Sequence, residues 1–232
     1  MPKVFITGVS TGLGNSLARE YLSMGYEVYG ISRRAPENLK NVKNFHFDSA
    51  DIREPIMLQS TLESLFQDVG ELDLVILNAG ISGKIQNISE TKMSDLQDAM
   101  KTNLWANKEL LDALDRLRIE LKQVVAISSS SACSGIKGWS SYSISKAALN
   151  MLIKLYSAER LETHYSSIAP DLIDTPLLSA IFQTPNSEKF PTIEKLKKMK
   201  ILSSTEAAKR VIRAIEKVRE LPSGVFVDIR EN

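Results

Sequence analysis

Short apolar runs rich in β-forming residues alternate with longer segments of helical periodicity along the whole sequence. The strand-like runs lie at residues 4–6, 27–31, 44–47, 72–77, 124–127, 165–169 and 225–229. The clearest helical patterns between them cover residues 10–24, 93–117, 141–161 and 205–219. Crossovers of this length return the chain in the same direction, so the strands are expected to run parallel and to be covered on both faces. The pattern predicts an α/β fold in which about seven parallel strands form a doubly wound sheet between two layers of helices.

The chain has 232 residues, the length of one large α/β domain, and we expect a single domain over residues 1–232. Residues 179–201 interrupt the alternation, because they contain Pro185 and Pro191 and then a lysine-rich helical piece. Since they follow the sixth strand, they are expected above the carboxyl edge of the sheet, where ligands bind. We interpret the segment at about 177–202 as a mobile substrate flap, with a solvated surface excursion as the alternative.

Composition excludes several classes of function. The net charge of +1 gives no reason to expect nucleic acid or an anionic membrane as a partner. No apolar run approaches the ~18 residues that span a bilayer. One cysteine, Cys133, and two histidines argue against a disulfide and against a zinc site. The N-terminus enters a strand without the apolar stretch of a signal peptide, so a cytoplasmic location is expected.

A glycine-rich segment lies between the first strand and the first helix. It reads Thr7-Gly8-Val9-Ser10-Thr11-Gly12-Leu13-Gly14. Glycine permits the tight strand-to-helix turn and lets the backbone approach a pyrophosphate, which then lies on the N-terminus of the helix. The position directly after the first strand therefore predicts a dinucleotide site rather than a plain turn, with contacts from Gly8, Ser10, Thr11, Gly12, Leu13 and Gly14.

The end of the second strand indicates which dinucleotide is bound. Ser32, Arg33 and Arg34 stand about twenty residues after the glycines, where a site for NAD carries a carboxylate for the ribose 2′-hydroxyl. Two arginines suit a 2′-phosphate better, so NADP(H) is expected in preference to NAD(H). The alternative is a pair of solvent-facing arginines in a loop.

Three further side chains are expected at the same edge of the sheet. Tyr142 and Lys146 are four residues apart in a helical pattern, so they share one face of the helix. A nearby ammonium favours the phenolate and is expected to lower the pKa of Tyr142 from its usual ~10. Ser129, thirteen residues before Tyr142, directly follows the fifth strand. A chance pair and a polar serine loop are the alternatives for each segment alone.

These motifs, with three more, resemble the short-chain dehydrogenases/reductases in their one-domain form. The additional motifs are Leu77-Asn78-Ala79-Gly80 after the fourth strand, Asn103 in the long helical pattern, and residues 170–175 after the sixth strand. The interval between Ser129 and Tyr142 is the one usual in the family. The resemblance covers nearly the whole chain and implies a Rossmann-like fold and a nicotinamide cofactor. It also implies a homodimer or homotetramer formed through the helices at 93–117 and 141–161.

The resemblance implies roles for individual residues. Ser129, Tyr142 and Lys146 match the catalytic serine, tyrosine and lysine, and Asn103 matches an asparagine that holds a water for proton exchange at the lysine. Asp48, with Ser49 beside it, corresponds to the aspartate that touches the adenine. Further contacts with the cofactor are implied for Asn78, Ala79, Gly80, Tyr142, Lys146, Pro170, Ile173 and Thr175.

Two positions depart from the family pattern. Asp171 stands where a glycine normally follows Pro170, which changes the loop or places a carboxylate near the pocket. Thr11 stands where many NADP-dependent members carry a basic residue, so recognition of the phosphate would depend on Arg33 and Arg34.

The expected reaction is the reduction of a carbonyl to an alcohol by hydride transfer from NADPH. Tyr142 would donate the proton as general acid, a role usually worth about 10²–10⁴-fold. Ser129 would hydrogen-bond the carbonyl oxygen as charge develops on it. The expected substrate contacts are Ser129, Ser131, Trp139, Leu177 and Phe182. Their mostly apolar character favours a ketone, diketone or aldehyde, and segments 138–140 and 223–228 are similar to those of sepiapterin- and benzil-reductase-like members.

Other functions stay open at this point. A 3-oxoacyl thioester reductase is one, for which the lysines at 195–200 offer a basic patch at the pocket mouth. A non-enzymatic NADP(H)-binding sensor on the same fold is another, since fold does not determine function. An NAD-dependent alcohol dehydrogenase is a third, and the two arginines after the second strand argue against it.

Overall fold

The computed structural model of the chain describes residues 1–185 and 187–230. The expected flap includes residue 186 and the expected domain also includes residues 231 and 232, and these three positions lie outside the described residues. In chain order the strands are β1 (Lys3–Thr7), β2 (Glu27–Ser32), β3 (Phe45–Ser49), β4 (Glu71–Leu72), β5 (Leu74–Leu77), β6 (Glu120–Leu121), β7 (Gln123–Ile127), β8 (His164–Ala169) and β9 (Val225–Asp228). Seven of them form one parallel sheet in the order β3-β2-β1-β5-β7-β8-β9, while the short β4 and β6 pair with each other.

The helices are α1 (Gly12–Ser23), α2 (Pro55–Leu65), α3 (Met93–Met100), α4 (Ala106–Arg116), α5 (Ser140–Glu159), α6 (Pro176–Phe182), α7 (Pro191–Lys197) and α8 (Ser204–Val218). A π-helical turn, Lys101–Trp105, joins α3 to α4, so the helical pattern at 93–117 is one helix interrupted by a wider turn. The seven strands and the doubly wound architecture expected from the sequence are confirmed. No helix in the described part of the chain is both long enough and apolar enough to cross a membrane.

Both faces of the sheet are covered. Alternate residues of a strand point to opposite faces. Val4 and Ile6 of β1 pack with α1 and α8, whereas Phe5 between them packs with α2, α4 and α5. Phe5 is fully buried, and its ring centroid lies 5.1 Å from that of Phe66 at the end of α2. This two-sided burial is the reason that the strands read as continuous apolar runs.

The strand order places the ligand edge. From β1 the chain runs outward through β2 and β3, and after β3 it returns to β5 on the other side of β1. Loops that leave β1 and β5 therefore diverge at the carboxyl edge of the sheet and open a crevice between them, the usual ligand position in this architecture.

The segment expected to form a flap is folded and packed above this edge. It contains α6 and α7, and it contributes Ile181, Phe190 and Ile193 to a third apolar cluster with Ile85 and Trp139. The Nζ atom of Lys137 lies 5.8 Å from the ring centroid of Phe190. The cluster attaches the segment to the loops that precede α3 and α5.

Candidate active site

A cleft of about 1110 Å³ follows the carboxyl edge of the sheet. Its described lining includes α5, the flap and β9 with the residue after next, Arg230. It also includes the ends of six other strands with the segments that follow them, at residues 8, 10–14, 31–34, 50–53, 78–82, 127–131 and 170–173. All but four of the site residues expected from the sequence line this cleft. The exceptions are Asp48, Ser49, Asn103 and Phe182.

The glycine segment forms a tight turn at one end of the cleft. Gly8 and Gly12 have φ angles of +78° and +62°, which side chains other than glycine rarely adopt. A Cβ atom at Gly14 would lie 2.5 Å from Nδ2 of Asn78 and closer still to the carbonyl oxygen of Gly8. Thr11, at the N-cap of α1, makes no side-chain capping bond. The turn therefore leaves the first amides of α1 facing a groove without side chains, which fits a pyrophosphate.

Asn78 joins the turn to the middle of the sheet. Its Nδ2 donates to the carbonyl oxygen of Thr7 at 2.9 Å, and the backbone amides of Asn78 and Ala79 both donate to Oγ1 of Thr7 at 3.0 Å. These bonds tie the end of β5 to the end of β1, so the Asn-Ala-Gly motif supports the glycine turn from below.

The carboxylate at the cleft wall after β3 is Asp51, and Asp48 is not part of that wall. The strand extends to Ser49, two residues further than the apolar pattern predicts, so Asp48 and Ser49 lie within it. Asp48 Oδ1 accepts from the Ser49 amide at 2.7 Å, and Ser49 Oγ donates to the carbonyl oxygen of Arg33 at 3.3 Å. The cleft begins at Ala50, and Asp51, Ile52 and Arg53 follow along its wall. Asp51 is the first acidic residue after the true end of the strand, which is why it lines the cleft.

Ser129, Tyr142 and Lys146 come together in the wall of the cleft. Ser129 follows β7, while Tyr142 and Lys146 lie one turn apart near the start of α5. The Nζ atom of Lys146 lies 5.8 Å from the ring centroid of Tyr142 and donates to the carbonyl oxygen of Ile127 at 2.7 Å. Ser129 Oγ accepts from both the amide and the hydroxyl of Ser131, at 3.2 and 3.0 Å. The three side chains therefore come from two parts of the chain, the segment after β7 and the first turns of α5, which lie next to each other at this edge of the sheet.

Burial dominates the titration of this group. It raises the pKa of Tyr142 to about 12, and a hydrogen bond with Ser129 opposes the shift only in part. Burial also lowers the pKa of Lys146 to about 8. The lowering of the Tyr142 pKa that the spacing to Lys146 predicts is not found: the pKa is raised, and desolvation of the phenolate is the largest cause. Tyr142 is therefore a protonated phenol at neutral pH, the state that a proton donor requires.

Asn103 lies behind the cleft. It is fully buried in the π-helical turn, where its Oδ1 accepts from the Ile81 amide at 2.8 Å. Its Nδ2 donates to the carbonyl oxygen of Ile81 at 2.8 Å and to Oγ of Ser145 at 2.9 Å. Ser145 directly precedes Lys146, so the asparagine connects the segment after β5 with the turn of α5 that carries the lysine.

The loop after β8 closes the cleft from above. Pro170, Ile173 and Thr175 line it as expected. Asp171, in the position of the family's glycine, pairs with NH1 of Arg210 on α8 at 2.9 Å. The carboxylate therefore anchors the loop to α8.

The far end of the cleft has an apolar wall. Ser131, Trp139 and Leu177 line it, but Phe182 faces a separate surface depression beside Ser203. The reason is helical geometry, because Ile181 and Leu178 on α6 take the inward positions and turn Phe182 away. The lysine patch expected at the pocket mouth reaches the cleft through Lys195, whereas sequence reasoning missed the apolar contribution of Leu196 and Met199 from the same segment.

Fold and site together define a dinucleotide-binding oxidoreductase architecture. A family model described as "short chain dehydrogenase" matches residues 2–186, and the chain belongs to this family. Benzil reductase ((S)-benzoin forming) of Bacillus subtilis is 29% identical over 245 residues, covering 100% of this chain and 99% of that protein. NADPH-dependent pterin aldehyde reductase of Arabidopsis thaliana is 28% identical, covering 77% and 78%. The crystal structure of YIR035C, a Saccharomyces cerevisiae short chain dehydrogenase/reductase, superposes with a TM-score of 0.88 at 22% identity, covering 99% and 96%.

Proposed function

We propose that this protein reduces an apolar ketone, diketone or aldehyde to an alcohol with NADPH. The observation that carries the proposal is the convergence of Ser129, Tyr142 and Lys146 on the same cleft as the glycine turn. One end of the cleft fits a pyrophosphate, and the proton-donating group stands further along it, so a dinucleotide and a carbonyl substrate can lie end to end.

The cofactor supplies the hydride when it is bound. Tyr142 donates its phenolic proton to the carbonyl oxygen that becomes the alcohol. Ser129 donates a hydrogen bond to the same oxygen and stabilises the charge that develops there. Because Ser131 donates twice to Ser129 Oγ, the Ser129 hydroxyl proton is not used in that contact and is available to Tyr142 or to the substrate oxygen beside it. Lys146 holds a positive charge beside Tyr142 and stabilises the phenolate left after proton transfer.

Asn103 acts in this mechanism as a positioning residue. Its three hydrogen bonds connect the segment after β5 to α5 one residue before Lys146. The water that the family resemblance associates with this asparagine stays a prediction.

The preference for NADP(H) rests on the adenosine end of the cleft. Arg33 and Arg34 line the wall directly after β2, where a 2′-phosphate would need cationic partners. The pterin aldehyde reductase relative is named as NADPH-dependent, which supports the same choice.

The choice of substrate rests on the walls at the other end. Ile136, Trp139, Leu177, Ile181 and Leu196 form an apolar surface opposite the serines that follow β7. A flat, mostly apolar carbonyl compound fits such walls, and a benzil reductase, which spans the same length as this chain, is among the relatives.

A 3-oxoacyl thioester reductase is the second candidate. Lys195 lies at the mouth of the cleft, where it could pair with an anionic group outside the pocket. A 3-oxoacyl-[acyl-carrier-protein] reductase of Buchnera aphidicola is 25% identical over 82% of this chain. The apolar wall deeper in the cleft favours the first candidate.

We also propose a homodimer or homotetramer formed through the long helices. Ile144, Met151 and Leu155 of α5 lie on one helical face and are each about half exposed, as is Trp105 beside α4. Apolar surface of this extent is typical of a face that another subunit covers.

The test is NADPH oxidation by the purified protein against diketones, aromatic aldehydes, pterin aldehydes and 3-oxoacyl thioesters, with NADH in parallel. We expect turnover of the aromatic diketones or aldehydes with a higher kcat/KM for NADPH than for NADH. Turnover confined to thioesters would favour the second candidate, and no oxidation of either dinucleotide with any substrate would contradict the proposal.

A further inference from the structure

A partly exposed ion pair between Arg53 and Asp51 lies at the end of the cleft where the adenosine is proposed to bind. The guanidinium of Arg53 donates two hydrogen bonds to the carboxylate of Asp51, from Nε to Oδ1 at 3.0 Å and from NH2 to Oδ2 at 2.6 Å. The amide of Arg53 also donates to Oδ1 at 3.0 Å. Both side chains line the cleft, and the carboxylate is the less exposed partner, at 22% against 36% for the arginine.

This pair lies next to the two arginines that follow β2. Strands β2 and β3 are hydrogen-bonded neighbours, with Ser32 paired to Ser49 at their ends. The Ala50 amide donates to the carbonyl oxygen of Ser32 at 3.2 Å, so Asp51 leaves β3 where Arg33 leaves β2. Arg33 is close enough to contribute to the lowered pKa of Asp51.

The position of Asp51 creates an electrostatic conflict. The Arg53 hydrogen bond lowers the pKa of Asp51 to about 2, so the carboxylate is ionised at every working pH. A carboxylate at this edge suits a ribose hydroxyl and repels a phosphate, whereas the adjacent arginines attract a phosphate. The site can favour a 2′-phosphate only if the charge of Asp51 is compensated.

We propose that Arg53 determines the preference for a 2′-phosphorylated dinucleotide by neutralising Asp51, without itself holding the phosphate. The inference rests on the proposed preference for NADP(H) and names the residue that makes this preference possible. Arg53 is thus a specificity residue that acts through a neighbouring carboxylate.

Two other roles for Arg53 predict different results. If Arg53 only orients Asp51, its loss weakens the binding of every adenine nucleotide by the same factor. If Arg53 binds the phosphate directly, removal of Asp51 does not repair the loss. Only charge compensation predicts that the loss of Arg53 selectively weakens the binding of the 2′-phosphorylated nucleotide and that removal of the Asp51 charge reverses this loss.

The experiment measures Kd by calorimetric titration of 2′,5′-ADP and of 5′-AMP, two adenosine fragments that differ by the 2′-phosphate and require no turnover. We expect Arg53→Gln to reduce the ratio of the two affinities by about tenfold, since it exposes one unpaired negative charge beside the phosphate site. Arg53→Lys keeps the charge and is expected to retain the wild-type ratio. The double variant Asp51→Asn/Arg53→Gln is expected to restore that ratio to within about threefold.

Arg160→Gln is the matched control, because Arg160 pairs with Asp115 at 2.8 Å on the outer surface, away from the cleft. An Arg53→Gln protein that keeps the wild-type ratio would overturn the inference and leave the NADP(H) preference standing. A double variant that stays as poor as Arg53→Gln would also overturn it, in favour of direct contact. A wild-type protein that binds both fragments equally would overturn the NADP(H) preference itself, and the inference with it.

Discussion

Replacement of Gly14 by alanine is expected to weaken dinucleotide binding while leaving the protein folded. The added Cβ would lie 2.5 Å from Nδ2 of Asn78 and closer still to the carbonyl oxygen of Gly8. Carbon atoms pack against their neighbours at about 3.5 Å or more, so either the glycine turn or α1 must shift by about an ångström. The obstructing Gly8 oxygen belongs to the backbone, and the Gly8 amide donates to the carbonyl oxygen of Ile31 at 2.8 Å, so a shift of the turn would strain or break this hydrogen bond.

The expected cost of this overpacking is about 1–3 kcal/mol of unfolding free energy. For a chain of this length that corresponds to a decrease in Tm of about 2–12 °C. The substitution is also expected to weaken NADPH binding directly, because the displaced α1 amides are the proposed partners of the pyrophosphate. Loss of one or two charge-assisted hydrogen bonds predicts an NADPH affinity about 10- to 100-fold lower.

The assay is a fluorescence titration with NADPH, accompanied by thermal unfolding of the same samples. Gly70→Ala is the matched control, since a Cβ atom at this exposed glycine meets nothing within 4 Å. We expect this control to bind NADPH as the wild type does and to change stability by less than about 0.5 kcal/mol. A Gly14→Ala protein with wild-type affinity for NADPH would refute the assignment of the turn as the pyrophosphate site.

Three further predictions concern stability and positioning. Lys146→Met is expected to raise the unfolding free energy by about 1–3 kcal/mol at pH 7, since it removes a buried ammonium. The folded-state pKa of Lys146 is about 8, below that of a lysine in the unfolded chain, so the stability of the wild type rises between pH 8 and about 10.5. The stability advantage of the variant, measured by urea titration, is therefore expected to shrink over that range. An advantage that does not change with pH would contradict desolvation as its cause. Asn103→Ala removes three buried hydrogen bonds, so denaturant titration is expected to show a loss of about 2–4 kcal/mol and activity assays a lower kcat; unchanged values of both would exclude a positioning role. Phe5→Ala is expected to cost about 3–5 kcal/mol, whereas Ile56→Ala, at a side chain 90% exposed, serves as the neutral control; equal costs would contradict the core described for β1.

Sequence patterns predict most of this fold, because a parallel sheet buried on both faces leaves a strong apolar signal in each strand. The pattern is weakest where a strand ends in polar residues. In β3 the polar Asp48 and Ser49 continue the ladder beside Ile31 and Ser32, and only the register with β2 reveals it. Local periodicity therefore does not reveal that Asp51, rather than Asp48, is the carboxylate that lines the cleft after β3, and the contact of Asp48 with the adenine stays a prediction.

The candidate site divides in the same way. Spacing alone places Tyr142 and Lys146 on one helical face, and chain order places Ser129 at the same edge of the sheet. Spacing carries no information about desolvation, so the rise in the pKa of Tyr142 could be found only from its burial. The orientation of Phe182 depends on how α6 rotates against Trp139, which is a tertiary property that local periodicity does not encode.

The most direct test of the proposed chemistry compares Tyr142→Phe with Tyr156→Phe in NADPH oxidation and NADPH binding. Both tyrosines lie on α5, but the Tyr156 hydroxyl donates to Asp112 at 2.8 Å, and the partly buried Tyr156 packs against the core cluster that contains Phe5. We expect Tyr142→Phe to bind NADPH normally and to lose at least about 10²-fold in kcat, while Tyr156→Phe retains turnover. A Tyr142→Phe protein that reduces its carbonyl substrate at the wild-type rate would contradict the assignment of this phenol as the proton donor.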